Sequence, residues 1–230
     1  MCIRDRLSLG ADIVVNSTSK YINANSSAIS GVITDGGKFK WDTEKYPGMK
    51  DFKKFGPFAY TAKLRNGLFR NTGACLSPQN AFYNSIGMET LGLRMERVCD
   101  NAKTLAQFFA TEYSDIEVNY PGLAGSKWHD IATEQFGDKF GGIITIRTGN
   151  KKRAFGIIDA LKLPLIVSNI GDTKTLVIHP ESTLNVHSTQ EEKETAGVFD
   201  DLIRISVGIE DIDDLIDDFK QAIESVKDVY

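Results

Sequence analysis

The sequence predicts an α/β protein, with part of a larger domain in residues 7–110 and a small α+β domain in residues 111–230. Three observations lead to this fold class. A short apolar run, Ile13 to Val15, predicts a fully buried strand because it shows no alternation and ends at polar residues. Apolar side chains at helical spacing predict one long helix over residues 79–110. Beyond this helix, short strand-like runs are mixed with helical ones, as in α+β domains.

Turn residues and periodicity place the other elements of the first unit. A second strand is predicted over residues 29–34, before two glycines and a long polar loop over residues 38–56. A helical pattern follows over residues 57–70. Pro78 suits the first turn of the long helix, because the backbone N–H that proline lacks has no helical partner there. We interpret the apolar stripe of the long helix as core; it comprises Phe82, Ile86, Met88, Leu91, Leu93 and Met95.

The second unit consists of shorter predicted elements. A helix is predicted over residues 151–161, and an amphipathic helix with apolar residues at period 3.6 over residues 211–226. Alternating apolar runs predict strands over residues 116–119, 142–147, 165–167, 175–178 and 202–207.

Composition excludes several classes of function. The net charge is −4 and no run of like charges forms a basic stripe, which argues against nucleic-acid binding. No apolar stretch approaches the roughly 18 residues of a membrane span, and no signal-peptide core is present, so a cytoplasmic location is expected. Cys2, Cys75 and Cys99 lack metal-ligand spacing and are too few for a disulfide framework, so we predict reduced thiols and no metal.

One lysine stands among small hydroxylic residues directly after the first strand. Lys20 follows Ser17 and Ser19, and the end of a buried strand is where α/β folds bind ligands. A buried lysine amine can act as a nucleophile, and the aldehyde of pyridoxal phosphate (PLP) is a frequent partner. Hydroxyls one and three residues before the lysine can donate hydrogen bonds to the phosphate. The spacing alone also fits a surface lysine beside a polar turn.

A second charged residue lies within an apolar strand. Arg204 occupies the run LIRISVG, where a buried guanidinium needs an anionic partner. A planar arginine side chain is the usual partner of an amino-acid α-carboxylate, because it binds both oxygens at once. The same pattern also fits an arginine on the solvent face of the strand.

Five segments of the chain resemble, in the same order, blocks of the Cys/Met-metabolism PLP-dependent enzymes, the cystathionine synthase and lyase family. The segments are GADIVVNSTSKYI, ISGVITDGG, GACLSPQNAFYNSIGMETLGLRMERVCDNA, NIGDTKTLVIHPEST and DLIRISVGIEDIDDLI.

The resemblance implies a fold, a cofactor and a set of site residues. Residues 7–110 would be the C-terminal part of an aspartate-aminotransferase-like (fold type I) PLP-binding domain. Lys20 would bind PLP covalently, with Ser17 and Ser19 at its phosphate. Arg204, helped by Asn169, would hold the substrate carboxylate. The family also implies a homo-oligomer, either a tetramer or a dimer of dimers.

Within the family, the long loop over residues 38–56 resembles the O-acetylhomoserine sulfhydrylase branch. An enzyme of this branch replaces the γ-acetate of O-acetylhomoserine with sulfide or a thiol. A cystathionine γ-synthase or methionine γ-lyase activity is the alternative. Residues 1–6 match nothing in the family, and family members carry a substantial part before the lysine strand. We therefore expect a C-terminal fragment, which as it stands would be non-catalytic.

The sequence departs from the family pattern at two places. The lysine loop usually continues with glycines and a histidine, but this chain has Asn23, Ala24 and Asn25. A Thr-His pair is expected where Leu184 and Asn185 stand. These departures put the substrate preference in question.

Overall fold

A computed structural model describes residues 6–226 of the chain. The strands are β1 (Ile13–Ser17), β2 (Gly31–Asp35), β3 (Glu117–Asn119), β4 (Ile143–Arg147), β5 (Leu165–Ile166), β6 (Leu176–Ile178) and β7 (Leu202–Ser206). The α-helices are α1 (Ala59–Lys63), α2 (Arg70–Thr72), α3 (Pro78–Glu89), α4 (Leu91–Glu112), α5 (His129–Phe136), α6 (Lys151–Ala160), α7 (Gln190–Thr195) and α8 (Ile212–Ser225). A 3₁₀ segment, Pro47–Phe58, precedes α1, and a π-helical segment, Leu64–Phe69, joins α1 to α2.

The strands form two sheets. β1 and β2 pair antiparallel, with Ser17 opposite Gly31. The other sheet has five strands in the order β3-β4-β7-β6-β5, and only its β5–β6 pair is parallel. In this sheet Thr145 and Ile178 both lie opposite Arg204. Side chains alternate between the faces of a sheet, so these three residues share one face.

The main core lies on the other face of the five-stranded sheet. There the strands pack against α4, α6 and α8, whose apolar stripes point inward. The central residues of this core are fully buried; they include Leu105, Phe109, Ile144, Ile146, Ile157, Ile203, Ile205, Leu215 and Phe219. Helix capping fixes where these helices begin, because Asn150 and Asp211 accept hydrogen bonds from the first turns of α6 and α8. The α+β mixture predicted for the second unit is therefore confirmed.

The long helix predicted over residues 79–110 is wrong in two respects. The structure divides it at Thr90 into α3 and α4. Its apolar stripe is mostly exposed rather than core: Phe82 is 61% and Leu93 75% accessible, whereas Met95 is fully buried. Periodicity identifies an apolar face of a helix, but it does not show that a covering element lies in the same chain.

The first strand is also less buried than its sequence predicts. Val14 is buried, but Val15 is 71% exposed, and within residues 6–226 β1 pairs only with the antiparallel strand β2. The single helix predicted over residues 57–70 contains 3₁₀, α and π turns. Helices α5 and α7 were not predicted from the sequence.

Other expectations from composition can be compared with the described residues. Cys75 is an exposed free thiol and Cys99 a buried one, and Cys2 lies outside the described residues. Among residues 6–226, no helix is both long and apolar enough to cross a membrane. The boundary proposed near residue 111 stays a prediction, as does the separate head over residues 1–6.

Candidate active site

The backbone after β1 forms a tight turn that fixes Lys20. The N–H of Asn23 donates to the carbonyl oxygens of Thr18 and Lys20, at 3.0 and 3.1 Å. The N–H of Thr18 donates to the carbonyl of Ser30 at 3.0 Å, which ties the turn to the chain entering β2. The lysine thus projects from a hydrogen-bonded turn rather than from a free loop.

A buried network of polar side chains connects this turn to helix α3. The Asn84 amide on α3 donates to the hydroxyls of Thr18 and Ser30, at 3.2 and 2.9 Å. The Asn23 amide donates to the Asn84 oxygen at 3.2 Å, so Asn84 bonds both ends of the turn. Buried polar groups are costly unless they are hydrogen-bonded, and here they satisfy one another. Asn84 was not predicted from the sequence, because α3 carries several other polar residues and nothing in the pattern distinguishes this one.

Helix α3 also approaches the lysine turn closely through its backbone. A Cβ atom on Gly87 would lie 2.3 Å from the carbonyl oxygen of Ile22, so no larger residue fits there. The buried Arg94 donates to the carbonyl oxygens of Tyr21 and Gly87, at 2.7 and 2.5 Å. These contacts make α3 and the start of α4 the support of the lysine turn.

The two predicted phosphate ligands differ in how free their hydroxyls are. Ser17 is exposed, and its hydroxyl makes no hydrogen bond within the described part of the chain. The Ser19 hydroxyl accepts from the N–H of Ser30 at 2.9 Å and donates to its carbonyl at 3.3 Å. Ser17 is therefore ready to donate to a phosphate, whereas Ser19 would first have to give up its weaker contact.

Lys20, Asn169 and Arg204 come together from three distant segments. The Lys20 amine donates to the side-chain oxygen of Asn169. The Arg204 guanidinium on β7 donates to the main-chain oxygen of Asn169 at 3.1 Å. The structure thus joins the predicted covalent residue to the predicted carboxylate-binding pair.

Arg204 has the surroundings of an arginine that binds an external anion. It has no carboxylate partner among residues 6–226, and its Nε atom is buried without a hydrogen-bond partner. Burial lowers the pKa of Arg204 from its ordinary value. A half-buried guanidinium without a counter-ion is costly, and a bound carboxylate would offset that cost.

The segment that carries Asn169 packs directly on the lysine turn. The N–H of Thr173 donates to the carbonyl of Ala24 at 2.8 Å. Gly171 has φ +77°, and a Cβ atom there would lie 2.6 Å from the backbone nitrogen of Tyr21. Its own N–H donates to the Ser206 hydroxyl on β7 at 3.0 Å. Only glycine satisfies both the positive φ and the close approach.

Two further residues, Ser26 and Asp172, extend the cluster beyond what the sequence predicted. The Asn169 amide nitrogen donates to the Ser26 hydroxyl at 2.6 Å, and that hydroxyl donates to the Asp172 carboxylate at 2.9 Å. Burial raises the pKa of Asp172, but hydrogen bonds from the Lys174 amide and the Ser26 hydroxyl outweigh it and lower the pKa below its ordinary value. Asp172 is therefore a carboxylate at neutral pH.

The residues that depart from the family pattern lie in turns and bends of the described structure. Ala24 and Ser26 adopt positive φ angles of 81° and 59°, which residues with a Cβ rarely adopt. The Asn25 oxygen accepts from the Ser27 hydroxyl at the exposed tip of the turn. Leu184 is exposed, in a turn where the Asn185 N–H donates to the carbonyl of Pro180 at 3.0 Å.

Comparison with known proteins identifies the family of the chain. The family model of the Cys/Met metabolism PLP-dependent enzymes matches residues 2–224. The chain belongs to this family. An O-acetyl-L-homoserine sulfhydrylase of Corynebacterium glutamicum is 39% identical over 96% of the chain, and a homocysteine synthase of Schizosaccharomyces pombe is 39% identical over 94%.

Solved structures of this PLP-dependent family support the same fold. A Campylobacter jejuni protein assigned as an O-acetylhomoserine (thiol)-lyase superposes with a TM-score of 0.87 and 32% identity over 95% of the chain. That protein carries N'-pyridoxyl-lysine-5'-monophosphate. The predicted α/β class and the recognised family are therefore confirmed.

The match covers only part of each relative. The chain spans 54% of the Corynebacterium glutamicum protein, 53% of the Schizosaccharomyces pombe protein and 55% of the Campylobacter jejuni structure. It therefore corresponds to about half of a complete member of the family.

Proposed function

We propose that the chain is the lysine-bearing part of a PLP-dependent enzyme that replaces the γ-acetate of O-acetylhomoserine with sulfide or a thiol. The observation that supports this is the cluster in which Lys20 and Arg204 both contact Asn169. The two relatives described above are named as a sulfhydrylase of this substrate and as a homocysteine synthase.

The residues present fit PLP as the cofactor. The Lys20 amine is the group that an aldehyde requires, and the exposed Ser17 hydroxyl, which makes no hydrogen bond within residues 6–226, is free to donate to a phosphate. Ser19 adds a second hydroxyl one residue before the lysine. When bound, PLP withdraws electrons from the substrate amino acid and so makes its Cα and Cβ protons acidic.

The residues of this chain have separable tasks in that reaction. Arg204 binds the substrate α-carboxylate, and the second Nδ2 proton of Asn169 is available to the same group. The Lys20 amine then lies beside the substrate and moves protons at Cα and Cβ. The Cγ–O bond breaks with its electrons leaving on acetate, and sulfide forms the Cγ–S bond, which gives homocysteine.

The rest of the active site would come from the part of the family fold that the chain does not span. The groups expected there are an aromatic ring stacked on the cofactor, an acidic partner for its pyridine nitrogen, and further phosphate donors. We accordingly propose that the chain alone retains PLP weakly and is inactive. Subunit contacts of a homo-oligomer would cover part of its exposed apolar surface, and a cytoplasmic location fits a biosynthetic enzyme.

A chimera tests the proposed activity. Residues 7–226 would replace the matching segment of the Corynebacterium glutamicum relative, which supplies the remainder of the fold. We expect homocysteine formation from O-acetylhomoserine and sulfide, and its loss in the Lys20→Ala chimera. A chimera that prefers to cleave methionine or cystathionine would instead establish a γ-lyase, and one that uses cysteine in place of sulfide and forms cystathionine would establish a γ-synthase.

A second candidate function is a non-catalytic chain, and the exposed apolar face of α3 and α4 favours it. Phe82, Ile86 and Leu93 are all exposed, although such side chains are normally buried. On this view the 230-residue chain aggregates and does not retain PLP on dialysis. A monomeric, monodisperse sample that holds PLP stoichiometrically would contradict it.

A further inference from the structure

We propose that Ser26 and Asp172 are positioning residues that orient the Asn169 side chain so that its oxygen faces Lys20. The catalytic meaning of this relay rests on the proposed function, but its geometry does not. The relay consists of Asp172, Ser26, Asn169 and Lys20, in that order.

Hydrogen-bond polarity determines the direction of the relay. The Asp172 carboxylate can only accept, so the Ser26 hydroxyl donates its single proton to it at 2.9 Å. The Ser26 oxygen must then accept from its other neighbour, which is the amide nitrogen of Asn169 at 2.6 Å. The side-chain oxygen of Asn169 is thereby turned toward Lys20, whose amine donates to it.

Asp172 is itself held in a fixed position. One carboxylate oxygen of Asp172 accepts from the backbone N–H of Lys174 at 3.0 Å and forms an ion pair with the Lys174 amine at 3.5 Å. The Asp172 side chain is largely buried. The other oxygen accepts from Ser26. The start of the relay is therefore anchored to the backbone of the segment that also carries Asn169.

The backbone of Ser26 indicates that its hydroxyl has a specific role. Its φ angle of 59° is one that glycine adopts without steric cost and serine does not. Strained residues of this kind persist where surrounding contacts determine them, and they cluster at functional sites. Within residues 6–226, the side-chain hydrogen bonds of Ser26 are the two relay bonds.

The relay also aligns the amine with the guanidinium. The main-chain oxygen of Asn169 accepts from Arg204 while its side-chain oxygen accepts from Lys20. A rotation of the Asn169 amide would present a donor to the amine and break that contact. Ser26 and Asp172 thus maintain the spacing between the two predicted reactive groups without touching either of them.

The Ser26→Gly substitution separates the orientation of the Asn169 amide from the stability of the turn. It removes the hydroxyl that holds the amide, and it also removes the steric cost of the positive φ angle. The experiment uses the 230-residue chain with ¹⁵N-labelled asparagine, in which the Asn169→Asp variant identifies the Asn169 side-chain signal. In Ser26→Gly, we expect the Asn169 side-chain amide protons to exchange with water at least tenfold faster than in the wild-type chain. Acetylation of Lys20 by an N-hydroxysuccinimide ester, followed by peptide mass spectrometry, should be at least threefold faster. The melting temperature should be unchanged or higher.

Matched controls make the result specific. Ser27→Ala removes a neighbouring hydroxyl whose one hydrogen bond within residues 6–226 is to Asn25, and it should leave both rates unchanged. Lys152, an exposed lysine on α6, should be acetylated equally in all variants. Unchanged Asn169 exchange and Lys20 acetylation in Ser26→Gly would overturn the proposal. Loss of the folded spectrum would overturn it too, because glycine is the residue this backbone favours.

A second variant tests the polarity of the relay directly. Asp172→Asn keeps the shape of the side chain but supplies a donor, so the Ser26 hydroxyl becomes free to donate to Asn169 and the amide should turn. We expect the same rise in Lys20 acetylation as in Ser26→Gly; wild-type rates would contradict the role of Asp172. Neither the Asn169 exchange rate nor the Lys20 acetylation rate requires cofactor or substrate. A chimera that makes no homocysteine would therefore count against the proposed function and not against the relay.

Discussion

The two ends of the chain differ in how completely they bury their apolar residues. Around the five-stranded sheet, Phe109, Ile205 and Phe219 are fully buried between strands and helices. Around the lysine turn, Ile29 is 90% exposed, and one face of α3 lies open. Both regions carry clear apolar patterns, so the difference lies in whether a covering element is present. The core around the five-stranded sheet is covered by α4, α6 and α8, whereas the lysine-bearing region leaves apolar side chains exposed.

The largest expected effect compares one phenylalanine from each region. Phe219→Ala should lower the free energy of unfolding by about 3–5 kcal/mol, since it leaves a cavity in the core of the sheet. Phe82→Ala should change it by less than about 0.5 kcal/mol in the 230-residue chain, because the ring is already in water. Urea unfolding of both variants measures this. Equal costs would contradict the contrast between the two regions.

The next largest effect on stability concerns the buried hydrogen bonds that Asn84 makes beneath the lysine turn. Asn84→Ala leaves the hydroxyls of Thr18 and Ser30 without their amide donor, and it should cost about 1–3 kcal/mol. Urea unfolding gives the cost. The matched control is Ser85→Ala, which removes only an exposed hydroxyl bonded within the same helix. If the two variants were equally stable, the network would not support the turn.

These contrasts also show what the sequence could predict. Lys20 and Arg204 were singled out because each is a charged residue beside an apolar strand, but only the resemblance of five segments to the family distinguished them from surface residues. Asn84, Ser26 and Asp172 could not, because their roles depend on which loops meet: their hydrogen bonds span 54 to 66 residues for Asn84 and about 145 for Ser26. The apolar stripe of α3 was identified correctly as apolar, but periodicity does not reveal what covers it.

The smallest expected effect lies on the surface of the α+β unit and depends on pH. Glu181 accepts hydrogen bonds from Lys151 and Lys193, at 2.8 and 2.5 Å, which lower its pKa to about 2. A carboxyl group whose pKa is lowered in the folded state stabilises the protein at pH values above its ordinary pKa. This stabilisation is lost as the pH falls through the lowered pKa. Glu181→Gln should cost at most about 1 kcal/mol at pH 7.

The cost of Glu181→Gln should shrink as pH falls from 4.5 towards 2, where the wild-type carboxylate becomes protonated. Urea unfolding at a series of pH values follows this change. Glu134→Gln is the control, because it removes an exposed carboxylate on α5 that forms no ion pair within residues 6–226. A cost that stays constant with pH would mean that the two lysines do not stabilise Glu181.

Borohydride reduction in the presence of PLP tests most directly whether the lysine turn holds the cofactor. In the chimera, we expect one pyridoxyl group fixed on the peptide that contains Ser17, Ser19 and Lys20. The Lys20→Ala chimera should carry no label at this site, while the Lys152→Ala chimera should be labelled as fully as the parent. Label on a different lysine, or full labelling of the Lys20→Ala chimera, would contradict the account.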